Sequence, residues 1–459
     1  MGRTFASLRF YNYRVWFFAA LVANTGTWMQ RVAQDWLVLA VLTKDSSFAV
    51  GLVTALQFLP LLFFMPLAGA MADRFDKRKI LLVTQSMQAV LAFGLGTLVM
   101  LDLATVWVVC LFACALGVVG AFDSPPRLVF ISELVPPASL PNAVGLNSTS
   151  FNIARLIGPA LSGLLIAWVG TGWVFMINGA SFLATIGALF LMRPSEYYPV
   201  TKAEGETGQK HGRQKGAVRE GLRYVRARTD LKVIFVVTGV IACLGMNFQL
   251  TTAAMARTIF GMEADGYGIL GSVLAIGSLA GALMAARRTT QPRVRVVVAA
   301  AAGFAVAAGL NAVMPTYPLY ALSLIPVGLA MLTLLTSANT AVQKMSTEPQ
   351  MRGRVMALYQ TVMMGSTPLG ALLVGWISET IGPRWGVGIG AVSALIVVIG
   401  AYLWGRRTWD VQVHYHLRTR PHVEIVGPRE HQLEEDEEAR IAREVAINQA
   451  DRTPGDQAK

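Results

Sequence analysis

The sequence predicts an all-α membrane protein of twelve transmembrane helices, in two pseudo-symmetric six-helix bundles with both termini cytoplasmic. Three observations carry that expectation: the composition, the recurrence of long apolar runs, and the placement of basic residues. Of 459 residues, 54% are hydrophobic and only 14% charged, whereas a soluble globular chain carries about 25% charged residues. The mean hydropathy is +0.51. That composition excludes a disordered chain, an ordinary cytosolic enzyme and a disulfide scaffold. Cys110, Cys114 and Cys243 all sit in apolar runs and form no paired motif, so no disulfide or metal framework is implied.

A spanning helix needs roughly 20 mostly apolar residues at about 1.5 Å each. Twelve stretches qualify: 15–42, 48–71, 79–101, 104–122, 142–168, 172–192, 233–255, 267–286, 295–314, 317–341, 354–379 and 384–404. Trp168 to Gly172 and Met314 to Pro318 leave room only for tight turns between spans. The first apolar stretch is too long for a cleavable signal peptide and lacks a small-residue cleavage pattern.

Orientation follows from Lys and Arg, which concentrate on the cytoplasmic side. With the N-terminus inside, 34 of the 39 basic residues fall on inner segments, and only Lys44, Arg257 and Arg384 on outer ones. The remaining two, Arg31 and Arg155, lie within spans. The formal charge of +12 is therefore a topology signal, and no nucleic-acid partner is needed to explain it.

The chain divides into a cytoplasmic N-terminus at 1–14, a first bundle at 15–192, a cytoplasmic linker at 193–232, a second bundle at 233–404 and a cytoplasmic tail at 405–459. The linker contains the charged, flexible run Lys202 to Lys210, then a candidate amphipathic helix from Gly216 to Arg228. Two landmark pairs suggest duplication. Gly69-Ala-Met-Ala-Asp73 matches Gly281-Ala-Leu-Met-Ala285 at an offset of 212, and Gly158-Pro159 matches Thr367-Pro368 at 209. Duplicated six-helix units are a transporter architecture. In the tail, Asp410 to Leu417 alternates like a strand, and Glu434 to Ile447 reads as an acidic helix. His414, His416 and His422 read as part of an exposed β-hairpin, with metal binding as the alternative.

Gly69-x-x-x-Asp73-Arg74-x-x-x-Arg78 resembles the loop signature of the major facilitator superfamily. Asp76 stands where that signature usually has glycine. Span 5 resembles the antiporter motif of the same superfamily, with Gly145, Ala154, Gly158, Pro159, Ser162 and Gly163 at its spacing. Ala and Ser replace two glycines, and every position stays small. The wording around Asn24 to Ala33, Pro136 to Ala143 and Asn152 to Pro159 is similar to the bacterial branch that includes the enterobactin exporter and macrolide efflux proteins. The arginine-bearing span-4 motif of many drug–proton antiporters is missing, since 105–122 carries no charge. The resemblance implies the major facilitator fold over residues 1 to about 404, with export by antiport. It also implies a gating role for Asp73 against the inner end of span 11, near Gly353 to Met356.

Charges deep in a span are costly and are functional candidates. Arg155 lies well inside span 5. Arg31 and Asp35 share a face of span 1 at i and i+4, and Asp35 is the one acid read as well embedded. It is the proton-carrier candidate, with neutralisation by Arg31 as the structural alternative. Asn24, Gln34, Gln57, Asn178, Asn247, Gln249 and Asn339 are candidate path-lining residues, with interhelical hydrogen bonding as their alternative. Trp28, Trp36, Phe58 and Phe248 are candidate contacts for an apolar substrate. No nucleotide loop, metal cluster or nucleophile constellation suggests an enzyme or a cofactor. The expected function is a secondary active exporter of a small amphiphile in the bacterial cytoplasmic membrane, protons being the coupling ion and a monomer the simplest state. The alternatives are an importer or facilitator of the same fold, or a non-transporting sensor that signals through the tail.

Overall fold

The computed structural model describes residues 3–198, 217–286, 294–346, 349–409, 412–415 and 423–426. The helices are α1 (Tyr11–Trp36), α2 (Ser47–Arg74), α3 (Lys77–Met100), α4 (Val106–Glu133), α5 (Leu140–Val169), α6 (Thr171–Leu191) and α7 (Ala217–Ala227). They continue as α8 (Thr229–Gly245), α9 (Phe248–Ala254), α10 (Ala264–Ala286), α11 (Val294–Val313), α12 (Tyr317–Met345), α13 (Pro349–Thr380) and α14 (Pro383–Trp409). A bilayer supplies no partners for backbone amides, so spanning segments of this kind must satisfy them internally. Side chains cap several starts. Ser46 Oγ accepts from Ala49 N at 3.2 Å for α2, and Asp76 Oδ1 accepts from Lys79 N at 3.1 Å for α3. Asp76, the departure from the superfamily signature, is thus the cap of the following helix. Gly170 makes the turn between α5 and α6 at φ +84, a conformation glycine adopts without strain.

Among the described residues, eleven segments are long and apolar enough to cross a membrane: α2 to α6, Thr229–Ile259 as one, and α10 to α14. The expected first span is the exception. Its helix α1 has 26 residues, about 39 Å, and Asn12, Asn24, Gln30, Arg31, Gln34 and Asp35 dilute its apolar character. It ends in a π-helical turn, Leu37–Leu42.

Two sequence expectations need correction. The fourth span was expected to stop at 122, just ahead of Asp123-Ser-Pro-Pro126. Instead α4 runs through both prolines to Glu133. Arg127, expected in a loop, and Asp123, not singled out, both belong to that helix. The seventh span is not continuous: α8 stops at Gly245 and α9 starts at Phe248. The Asn247 side chain donates to the Cys243 carbonyl at 2.7 Å, satisfying an acceptor that the break would leave open.

Residues up to Leu395 form one compact unit, and Ile396–Lys459 a second. In the first, α1 packs on α5 and α6, α2 on α4, α3 on α4 and α6, α10 on α12, and α8 on α13. Contacts also run between α2 and α13 and between α5 and α10. The largest buried cluster includes Trp36, Leu37, Val50, Val53, Phe175, Tyr267 and Tyr320. The amphipathic helix expected in the linker is α7. The second unit holds the end of α14 and an antiparallel hairpin pairing Gln412 with Val426 and Tyr415 with Val423. His414 lies on that hairpin. Lys202 to Lys210, His416, His422 and Glu434 to Ile447 lie outside the described residues.

Candidate functional site

The helix pairs α2/α13 and α5/α10 behave differently at the two ends of the molecule. One end carries the basic cluster Arg74, Lys77, Arg78 and Lys79; the other carries Asp45, Glu263 and Glu379. At the acidic end both pairs are in backbone contact. A Cβ on Gly51 would collide with the Ala371 carbonyl, and one on Gly375 would sit 2.9 Å from the Ser47 carbonyl. A Cβ on Gly163 would sit 2.6 Å from the Ala264 carbonyl, and one on Gly271 2.9 Å from Pro159 Cβ. Polar ties reinforce this closure. Ser46 Oγ and Phe48 N donate to Glu379 at 2.6 and 2.8 Å, Arg257 bridges Asp45 at 3.3 Å, and Ser272 Oγ donates to the Leu156 carbonyl at 2.7 Å. At the basic end, no neighbouring element among the described residues comes within 4 Å of where a Cβ would stand on Gly69, Gly145 or Gly353. Asp73 and Arg74 are exposed there, and Asp73 makes no hydrogen bond or ion pair among the described residues. A cleft therefore opens toward the basic end and is sealed at the acidic end.

The small residues of α5 serve two neighbours. Ala154, Gly158 and Ser162 face α1: Gly158 abuts Trp28, and Ser162 Oγ donates to the Met29 carbonyl at 2.8 Å. Pro159 and Gly163 face α10. Gly145, at the start of the motif, faces open space. Small side chains admit these backbone approaches where larger ones would not.

On α1, Asn24, Trp28, Arg31 and Asp35 share one face at i, i+4, i+7 and i+11. Asn24, Trp28 and Arg31 are half-buried, and Asp35 is 4% exposed. Arg31 and Asp35, whose mutual neutralisation is the structural alternative, interact through space but form no ion pair or hydrogen bond among the described residues. Asp35 Oδ2 accepts from Tyr267 Oη at 3.1 Å, from α10. Trp36 stacks on Tyr267 with centroids 6.2 Å apart. The Arg31 guanidinium instead lies over Trp28 at 4.9 Å and Phe58 at 5.6 Å. Arg155 is half-buried and, among the described residues, has neither a hydrogen bond nor an ion pair.

Among the uncharged candidates, Gln34 Nε2 donates to Gln57 Oε1 at 3.3 Å, joining α1 to α2. Asn178 pairs with Gln30. Asn247 is committed to the helix break, and Phe248 packs edge-on against Phe304. The Gln249 side chain is half-buried and carries no hydrogen bond among the described residues, and Asn339 is exposed. Of the loop signature, Arg78 Nε donates to the Leu189 carbonyl at 2.9 Å.

Sequence reasoning missed a buried polar network near the basic end. Asp123 accepts from Thr84 Oγ1 and Gln85 Nε2 at 2.7 Å each and pairs with Arg127 at 2.7 Å. Thr185 Oγ1 donates to Gln85 Oε1 at 2.7 Å. This joins α3, α4 and α6. The i, i+4 spacing of Asp123 and Arg127 was the available signal. Tyr267 was missed because it stood at a predicted span boundary.

A chain whose first unit is helical throughout, with eleven segments fit to cross a membrane, a one-sided cleft and charges within its helices defines a polytopic transporter. Residues 2–426 match the family model described as transmembrane secretion effector, and the chain belongs to that family of major facilitator superfamily transporters; it is not an enzyme. It is 25% identical over 379 residues to the multidrug efflux pump Tap of Mycobacterium tuberculosis, covering 80% of this chain and 86% of that one. It is 23% identical over 272 residues to the staphyloferrin A transporter of Staphylococcus aureus, covering 59% of this chain and 66% of that one. Among solved structures, a bacterial homolog of the human lysosomal transporter Spinster, inward-facing and unoccupied, superposes with a TM-score of 0.66 at 17% identity, covering 86% of this chain and 97% of that one. A bacterial homologue of ferroportin, also inward-facing, gives 0.64 at 11% identity, covering 86% and 98%. At these identities the structural likeness concerns the fold.

Proposed function

We propose that the chain is a proton-coupled exporter of a small amphiphilic compound, working by alternating access in the bacterial cytoplasmic membrane. The observation that carries this reading is the asymmetry of α2/α13 and α5/α10, in contact at one end and apart at the other. In this reading α1 is a twelfth span, the bundles are 15–192 and 233–404, both termini are cytoplasmic, and the basic end faces the cytoplasm. The structure then corresponds to an inward-open state. Cargo enters from the cytoplasm and meets the exposed face of α1. Closing the basic end brings Asp73 to the N-terminus of α13, where a helix dipole favours a carboxylate by roughly 0.3–1 kcal/mol. Opening the acidic end separates α5 from α10 and α2 from α13. It also separates Asp35 from Tyr267, which exposes the carboxylate to the outside for proton uptake.

The mid-depth charges favour neutral, zwitterionic or anionic cargo. Asp123 and Arg127 cancel, so Arg31 and Arg155 against Asp35 leave +1. A low dielectric magnifies that imbalance against a polycation. The efflux pump and siderophore transporter among the relatives support a small-molecule cargo. The test is transport in proteoliposomes under an imposed pH gradient, across matched compounds of charge −1, 0 and +2, with Asp35→Asn alongside. Efflux-direction flux driven by the gradient is expected, with the dication moved least and the variant uncoupled. Preferred transport of the dication refutes the charge argument. Gradient-driven flux undiminished in Asp35→Asn removes Asp35 from the coupling.

A further inference from the structure

We propose that the Arg31 guanidinium, caged by Trp28 and Phe58, is an oxyanion subsite that receives a carboxylate of the cargo. The proposal deepens the transport reading above and rests on it. An ionised side chain at membrane depth ordinarily pairs with an opposite charge. Arg31 does not. Among the described residues it has no ion pair, and its buried Nε has no hydrogen-bond partner. Asp35, one turn away, is turned onto Tyr267. Asp35 acts on it only through space, without an ion pair, and the contacts it does make are two aromatic faces, 4.9 and 5.6 Å from the guanidinium carbon.

The cage is built by three helices. Trp28 is set by α5, where Gly158 abuts its Cβ and Phe151 meets its ring edge-on with centroids 5.8 Å apart. Phe58 is set by α2, whose neighbouring Gln57 is tied to Gln34 of α1 at 3.3 Å. Ring faces satisfy the positive charge but accept no directed N–H bonds. The planar fork of donors remains for a group that can take two at once, and a carboxylate is the matching shape. The apolar remainder of such a molecule would lie against the same aromatic surface. The chemistry recognised is therefore an amphiphile bearing an acid group. A zwitterion meets this requirement while leaving its cationic group for the cleft. Arg155, also without an ion pair, adds to the positive potential.

The probes are dansyl-glycine and its methyl ester, which differ at neutral pH by a single charge on nearly one shape. Binding to purified protein is read by energy transfer from tryptophan, and flux in proteoliposomes of neutral lipid. The wild type should bind the acid at least about tenfold more tightly than the ester. In Arg31→Gln that ratio should fall to near one, and in Arg31→Lys to an intermediate value, because an ammonium restores charge without the fork. Unchanged thermal unfolding of the variants keeps the ratio interpretable. Equal binding of acid and ester by the wild type, or a preference that persists in Arg31→Gln, overturns the subsite. In either case, continued ester flux through the wild type leaves the transporter reading standing. If the wild type neither binds nor moves either probe, both readings fall.

Discussion

The two ends of this molecule are held by different physics. At the acidic end, backbones touch through Gly51, Gly163, Gly268 and Gly375, and hydrogen bonds and an ion pair cross the seam. At the basic end, the polar groups are committed within neighbouring helices. Asp123 serves α3 and α4, Lys77 pairs with Glu133 at 3.2 Å, and Arg78 caps a carbonyl of α6. Asp73 alone among the loop-signature carboxylates is left without a described partner. The acidic end is thus closed by side chains that must separate to open it. The basic end instead presents an exposed carboxylate, Asp73, which in the proposed cycle would close it against the start of α13.

Substitutions at five positions break or sharpen that contrast. Each is read by thiol labelling at positions 48 and 67, near the acidic and basic ends, in a background whose three cysteines are replaced by alanine. The largest effect is expected from Gly268→Leu, because a side chain there meets the Pro159 carbonyl and Gly163. Overpacking of about 1–3 kcal/mol shifts the closed acidic end toward opening by roughly 5- to 150-fold. Labelling at 48 should rise and transport should fall at least tenfold. Gly158→Leu, by contrast, sits between α5 and α1. It should destabilise the protein without that rise, and Gly158→Ala should be tolerated much better.

Tyr267→Phe keeps the stack on Trp36 and removes the donor to Asp35. A hydrogen bond to a charged group is worth about 1.5–3 kcal/mol, so labelling at 48 should increase about tenfold or more. Labelling like the wild type would mean that the hydroxyl does not hold the acidic end. Asp73→Asn acts at the other end and in the opposite sense. At roughly 0.3–1 kcal/mol it should raise labelling at 67 by about two- to fivefold and slow transport. Wild-type labelling with wild-type flux would falsify the gating role. The smallest shift is expected from Glu379→Gln. Its partners at the mouth, a hydroxyl and an amide, are exposed, and Gln still accepts from both, so the change should be about twofold at 48.

Much of the architecture was legible because apolar length and basic clustering are strong, local signals. The spans at 48–71, 79–101, 172–192 and 384–404 fall within α2, α3, α6 and α14 to a few residues, apart from Leu101 and Met192, which lie one residue past α3 and α6. The failures have physical reasons. The fourth span was ended at 122, ahead of Pro125 and Pro126, and proline, which lacks an amide hydrogen, more often ends a helix than lies inside it. Inside a helix its cost is met by neighbouring groups that the sequence does not display. The break after Gly245 was not read because Asn247 and Gln249 were taken as polar residues lining a continuous span, whereas the Asn247 side chain serves the break itself. At the site, Arg31, Asp35 and Arg155 stood out as costly charges. Their partners did not, because Tyr267 and Phe58 reach α1 only through packing between helices far apart in sequence. Spacing alone suggested that Arg31 pairs with Asp35, and the rings and Tyr267 compete successfully for both.

The Tyr267–Asp35 hydrogen bond also bears on insulation. If Asp35 carries the proton, the group that hides it from the outside belongs to the helix that must move for the outside to open. Proton uptake from the outside and opening are then one event, because the hydroxyl that covers the carboxylate leaves with α10. Such a device keeps the gradient from being short-circuited between turnovers. Its signature is a low passive proton conductance in empty proteoliposomes, which Tyr267→Phe should raise before any cargo is added.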